Sequence, residues 1–386
     1  MLTNLIVKFH SQIKDIPQEQ WNALVKDNHP FIKHQFLYAM EKHHCVGSKF
    51  GWIPCHMAVY QGYDEDKQLI AAMPLYQKTN SYGEFVFDNS WAQAWQQQGM
   101  QYYPKLVSAT PYTPANGQRL LCPKKHQKQV YPLILNALKE ITATGHFSGV
   151  HILFPTSDEQ DWLETNKPLV RHDCQFHWFN QHYQDFDDFL ATLTAKKRKN
   201  IRQERRKVDQ QAVSFRRLNG HSATDKDWRT FAYFYKKTFD EKWGTATFNL
   251  EFFKQIAQTM PEQIILVLAD QQDNCIAGAL LYRSDHTLYG RHWGCREALK
   301  GLHFETCFYQ GIEVAIQQGL RTFEPGAQGE HKIARGFVPV LTRSSHFMQE
   351  NPFQVSLENF VNHERDAVND YIQTCHQHSP YRKINE

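Results

Sequence analysis

The chain has 386 residues, 41% of them hydrophobic and 13% aromatic, which suits two folded domains and excludes a disordered polymer. Its 43 basic and 40 acidic side chains nearly cancel to a net +3, so bulk charge points to neither a nucleic acid nor a membrane. The longest apolar runs, such as Ile264 to Ala269, fall far short of the ~20 residues of a membrane span.

Residues 1–10 lack the basic-then-apolar pattern of a secretory leader, and the eight cysteines form no Cys-x-x-Cys pair. Reduced thiols and a cytoplasmic location are expected.

Leu5 to His10 reads as a strand, followed by a helix from Pro17 and another over Phe31 to His44. Ile53 to Tyr60 and Gln68 to Gln77 read as a hairpin around the turn-rich Gly62 to Asp66. A short strand is expected at Glu84 to Phe87, then a Trp/Gln-rich piece (Trp91 to Gln98) and a strand at Lys105 to Ala109. A long helix over Gln127 to Thr144 leads to a buried strand, Val150 to Phe154, that stops at Pro155. A strand at Cys174 to Asn180 closes the first half. The second half opens with a helix from Phe186 to Gln211, capped by Asp185, and a strand from Val213 to Leu218. Helices near Asp227 to Glu241 and Leu250 to Thr259 precede a meander: Ile264 to Ala269, Ile276 to Arg283 and Thr287 to Trp293. A helix from His303 ends at Gly319, a strand from Arg321 to Glu324 stops at Pro325, and an amphipathic helix covers Ser356 to His376. The halves share the order hairpin, strand, helix, short strand ending in proline, which suggests an internal duplication. The expected domains are 1–180 and 181–386.

Four stretches carry chemistry-bearing side chains. Lys196 to Lys207 holds eight basic residues among twelve. Its Lys196, Lys197, Arg198, Lys199 and Arg202 are candidate phosphate ligands, with a solvated helix face as the bland alternative. Nothing there reads base sequence, so sequence-specific DNA binding is not expected. Phe323 to Lys332 leaves a strand into a loop with two glycines; an N-acylation needs a base for its amine. Glu330, His331 or Glu324 can supply one, Lys332 can hold an oxyanion or phosphate, and Gln328 and Arg335 can contact substrate. On the last meander strand, Arg291 and Trp293 should share one face and His292 the other. Helix-start residues His303 and Glu305, and the first-half residues Trp91, Gln93 and Tyr112, are further candidates for substrate contact. No metal is assigned: His43, His44, Cys45, Cys55 and His56 match no ordinary zinc spacing. Neither Gly-x-Ser-x-Gly nor a P-loop occurs.

At Trp91 to Pro114, Phe176 to Asn180, Lys196 to Arg206, Tyr289 to Gly294, Leu302 to Glu305 and Phe323 to Lys332, the sequence resembles the FemAB-like predicted N-acyltransferases. That is a peptidoglycan biosynthesis or recognition family within the acyl-CoA N-acyltransferase (GNAT) superfamily. The resemblance implies a mixed α/β fold of tandem GNAT-like domains, with the active site in the second. In such folds the third meander strand and the strand after the helix run parallel and part, leaving main-chain donors for an acyl carbonyl. It also implies transfer of an acyl or aminoacyl group to an amine on a small molecule or peptide, including a peptidoglycan-type peptide. The usual acetyl-CoA motif, Gln/Arg-x-x-Gly-x-Gly/Ala, is reduced here to Arg296 and Gly301 at another spacing. The donor is therefore left open between acyl-CoA and aminoacyl-tRNA, with tRNA a partner in the second case and no other cofactor assigned. The alternative reading is a non-catalytic protein that binds a peptidoglycan-type or nucleotide-linked ligand on the same fold.

Overall fold

A computed structural model describes residues 3–62, 67–241, 244–297, 299–327 and 329–382. Gln328 and most of the turn at Gly62 to Asp66 therefore lie outside the described residues. The strands are β1 (Leu5–His10), β2 (Trp52–Pro54), β3 (His56–Gln61), β4 (Gln68–Met73), β5 (Tyr76–Lys78), β6 (Lys105–Ser108), β7 (Gly149–Leu153), β8 (Leu169–Phe179), β9 (Val213–Leu218), β10 (Ile264–Gln271), β11 (Asn274–Arg283), β12 (Thr287–Cys295), β13 (Thr322–Glu324) and β14 (Val338–Met348).

The chain forms two compact units, residues 1–173 with 341–369 and residues 174–340 with 370–386. This differs from a single cut after residue 180. The chain returns to the first unit because β14, absent from the sequence-based expectation, pairs antiparallel with β7 from Ser344↔Leu153 to Met348↔Gly149. Its buried side chains include Thr342, Ser344, Ser345 and His346, so it lacks the apolar alternation that announces a strand.

In the first unit, β3 pairs with β1 and β4, and a second sheet runs β2-β5-β6-β7-β14. Its core gathers Met57, Ile70, Leu106, Val130, Ile134 and Ile152. The expected strand at Glu84 to Phe87 is irregular backbone, with Phe85 in the left-handed region, and the Trp/Gln-rich piece is a helix, Asn89–Gln97. Parallel strands β6 and β7 are joined by the helix Gln127–Ala143.

The second unit repeats that arrangement with a longer meander, in the order β8-β13-β12-β11-β10-β9. Strands β12 and β13 are parallel, joined by a helix over residues 302–317. The core packs Trp178, Phe189, Ile201, Val267, Leu281, Ile312 and Phe323. Thr224 caps the helix Asp225–Asp240 through a capping box with Asp227. The expected helix from Phe186 to Gln211 is two helices, Phe186–Thr192 and Ala195–Asp209. Leu193 and Thr194 are extended between them, and the Thr194 N–H donates to the Pro380 carbonyl (2.9 Å). Asp185 caps the first helix by accepting from the Asp188 N–H at 2.8 Å. Among the described residues no helix is long and apolar enough to cross a membrane.

Candidate active site

Strands β12 and β13 stay in register only through Thr287↔Thr322, Leu288↔Phe323 and Tyr289↔Glu324. Pro325 has no N–H and cannot extend the ladder, and its chain leaves while β12 continues to Cys295. On the other side of β12, Leu280 pairs with His292 but Leu281 with Gly290, so Arg291 is the extra residue of a β-bulge. The bulge breaks the alternation expected from sequence. Arg291, His292 and Trp293 all line one cavity of about 290 Å³, together with Gly290, Cys307 and Phe308.

Arg291 spans the parting. Its guanidinium donates to the carbonyls of Gly290 and Glu324, both at 2.9 Å, and to the Glu324 carboxylate at 3.3 Å. Both side chains are buried. Glu324 is therefore the counter-ion of Arg291 and not a free base. The corresponding place in the first unit holds a side chain of its own. Beyond the Ser108↔Ile152 pair of β6 and β7, fully buried Arg119 donates to the carbonyls of Leu153 (2.8 Å), Ala115 (2.7 Å) and Gln118 (3.0 Å).

The glycine loop after Pro325 ends in a 3-10 turn, Glu330–Arg335, with Gly329 in the left-handed region. Three residues per turn send neighbouring side chains in different directions. Glu330 is exposed and accepts from the Tyr371 hydroxyl at 2.9 Å, away from the cavity lining. His331 and Lys332 line the cavity. Lys332 is 3% exposed, and its Nζ donates to the Gly326 carbonyl at 2.7 Å. Burial, with Arg291 nearby, pulls its pKa down to about 7. Burial, with Arg335 and Lys332, also lowers His331, so its imidazole is neutral at pH 7. His303 faces it, with ring centroids 6.5 Å apart, and packs on Trp293 at 5.2 Å. His292 sits among Tyr235, Phe248, Phe253 and Tyr282, and burial takes its pKa to about 3.

Other expected ligands are placed differently. Arg335 lies over the Phe304 ring at 3.4 Å and donates to Glu204 (2.8 Å) and to the His331 carbonyl (2.6 Å), so it anchors the loop to the basic helix. Glu305 is buried in a π turn, Glu305–Tyr309, and pairs with Arg205 at 2.9 Å. Neither lines the cavity. Arg202 bonds to Asp187 at 2.8 Å on the surface; Lys196 and Lys199 are exposed, and Lys197 and Arg198 half-buried. These cations occupy the first turns of the helix Ala195–Asp209, whose first turn has no acidic residue. Trp91, Gln93 and Tyr112 belong to the first unit: Trp91 is buried against His346 (5.3 Å), Gln93 is exposed, and the Tyr112 hydroxyl donates to the Cys45 carbonyl (2.9 Å).

Cys307 and Phe308 were not singled out from sequence. Cys307 lies four residues after His303, the spacing that puts two side chains on one helix face, which was the available signal. His177 on β8 was also missed; it is buried, and burial with Arg291 and Lys332 near it takes its pKa to about 3.

Among solved structures, the chain is similar to FemX at 12% identity, covering 89% of this chain and 98% of that one, with a TM-score of 0.53. It is similar to L-PGS from Bacillus licheniformis at 10% identity, covering 88% and 95%, with a TM-score of 0.51. A conserved protein of unknown function from Bacteroides thetaiotaomicron VPI-5482 aligns at 12% identity over 89% and 100%, with a TM-score of 0.50. No curated protein matches the sequence. At these identities the likeness is one of fold, and that fold is the tandem GNAT-like one. The FemAB-like pattern, described as peptidoglycan biosynthesis/recognition, matches residues 12–383, and the chain belongs to that family.

Proposed function

We propose that the protein is an N-acyltransferase that works in the cleft of its second unit. The observation that carries this reading is the parting of β12 from β13 after the Tyr289–Glu324 pair, with buried Lys332 at its edge. The donor carbonyl enters the parting, and a neutral amine attacks its carbon. The bond to the leaving sulfur or oxygen breaks, and the departing anion takes up a proton. His331, neutral at pH 7, accepts the proton the amine loses, while the Lys332 ammonium faces the oxyanion. Glu330 and Glu324 are left out because the first is bonded to Tyr371 and the second to Arg291.

The donor classes open to this scheme are acyl-CoA and aminoacyl-tRNA, and the acceptor is an amine on a small molecule or peptide. A peptidoglycan-type peptide agrees with the family description. Lys196, Lys197, Arg198 and Lys199 would take donor phosphates, working from a cytoplasmic protein.

The test is transfer of a labelled acyl group from acyl-CoAs and bulk aminoacyl-tRNA, with thermal shifts for binding. A donor at 100 times its Kd stabilises the fold by about 2.7 kcal/mol. Lys332→Met should abolish most transfer, and Gly290→Leu should block the donor, since a Cβ there already meets the Phe323 ring at 3.2 Å. Transfer that survives both changes would put the chemistry elsewhere.

A further inference from the structure

The described walls of the acyl cleft are either apolar or basic. Its ionisable side chains are Arg291, His292, His303, Cys307, His331 and Lys332, and none is a carboxylate. The two nearest acids along the chain are committed: Glu324 to Arg291, and Glu330, exposed, to the Tyr371 hydroxyl. Lys332 Nζ is held by a neutral partner, the Gly326 carbonyl. A cation entering this space would meet the Lys332 ammonium, and no carboxylate among the described walls to offset it, since Glu324 is already paired with Arg291. An uncharged chain would instead bury against Leu281, Trp293 and Phe308.

Resting on the acyl-transfer reading of the same cleft, we propose that it takes an acyl group that is uncharged or ends in a carboxylate, and excludes an aminoacyl group with a free α-ammonium. The donor is then an activated simple carboxylic acid and not an aminoacyl ester. The low pKa of Lys332 agrees with a site that holds no anion until its ligand arrives.

Cys307 lines the cavity and can report its charge preference independently of the donor's carrier. The probes are three methanethiosulfonates: methyl (neutral), 2-sulfonatoethyl (anionic) and 2-(trimethylammonio)ethyl (cationic). Labelling rates at Cys307 are read by peptide mass spectrometry and divided by each reagent's rate with 2-mercaptoethanol. The anionic reagent should be faster than the cationic one by about tenfold or more, the scale of one uncompensated charge. The ratio should fall toward one in Lys332→Met and, in the unaltered protein, as NaCl is raised to about 1 M. Cationic labelling that equals or exceeds anionic labelling overturns the proposal and leaves acyl transfer standing. Burial raises the Cys307 thiol above its ordinary pKa, so the neutral reagent is also tried at about pH 10; failure to label even there would mean that no open cleft reaches Cys307, which overturns the proposal.

Discussion

Replacing Lys332 by methionine should stabilise the protein while it removes activity. Lys332 is 3% exposed, and no carboxylate lines its cavity among the described residues. The folded protein releases its proton near pH 7, against 10.5 for an ordinary lysine. Between those values the unfolded chain holds more protons than the folded one, so this residue makes stability rise with pH across that window. The cost is greatest below pH 7, where the folded protein must protonate a buried amine. At 1.36 kcal/mol per pKa unit it is on the order of 4 kcal/mol at pH 7, an upper bound, since relaxation and water entry reduce it. Methionine fills similar volume without a charge and removes the cost. For a domain of this size, ~1 kcal/mol moves Tm by about 2–4 °C, so a gain of several degrees is expected. The assay is thermal unfolding of both proteins from pH 6 to pH 10. The advantage of Lys332→Met should be largest at pH 6 and fade toward pH 10. A gap that does not change with pH, or a destabilised variant, would refute the reasoning.

Three further outcomes follow from the packing. In the first unit, buried His151 and His346 face each other with Nδ1 atoms 2.6 Å apart, and burial holds both pKa values well below 6.5. Below pH 6.5 the unfolded chain gains protons that the folded rings refuse, so stability should fall by up to about 1.4 kcal/mol per pH unit per ring; urea titrations should show a shallower fall in the double variant His151→Leu/His346→Leu. Gly294→Ala should cost about 1–3 kcal/mol in chemical denaturation, because a Cβ there would lie 2.3 Å from the Phe234 carbonyl oxygen and the helix Asp225–Asp240 would have to move. Lys196→Glu should stabilise the fold by about 0.3–1 kcal/mol, since its cation opposes the dipole in the first turn of its helix, while Lys199→Glu, beyond that turn, should change it less. The same pair should weaken binding of a phosphate-bearing donor at low salt; unchanged affinity would remove the phosphate role from this helix.

Local pattern decided much of the architecture in advance. Asp185 is a cap residue whose side chain accepts from the main-chain N–H of Asp188, three positions on, and a sequence states that directly. The meander β10–β11–β12 is legible because its apolar residues fall between turn residues. The glycine loop after Pro325 was legible as a site because glycine, imidazole and ammonium crowd into a few positions. Its internal geometry was not: Glu330 and Lys332, two positions apart, differ in burial because a 3-10 turn points one outward and the other inward.

By itself, then, the sequence determined most of the order of elements in each half, with β14 the main omission, and the two charged stretches, which follow from residues a few positions apart. Only tertiary structure decided which charges are available. Within one basic helix Arg205 turns inward to Glu305 while Lys196 stays in solvent, and Glu324 is neutralised by Arg291 across two parting strands. It also decided the unit boundaries, through the pairing of β14 with a strand about 190 residues earlier. Such pairings are set by which buried polar groups find partners across the fold, and sequence neighbours carry no record of that.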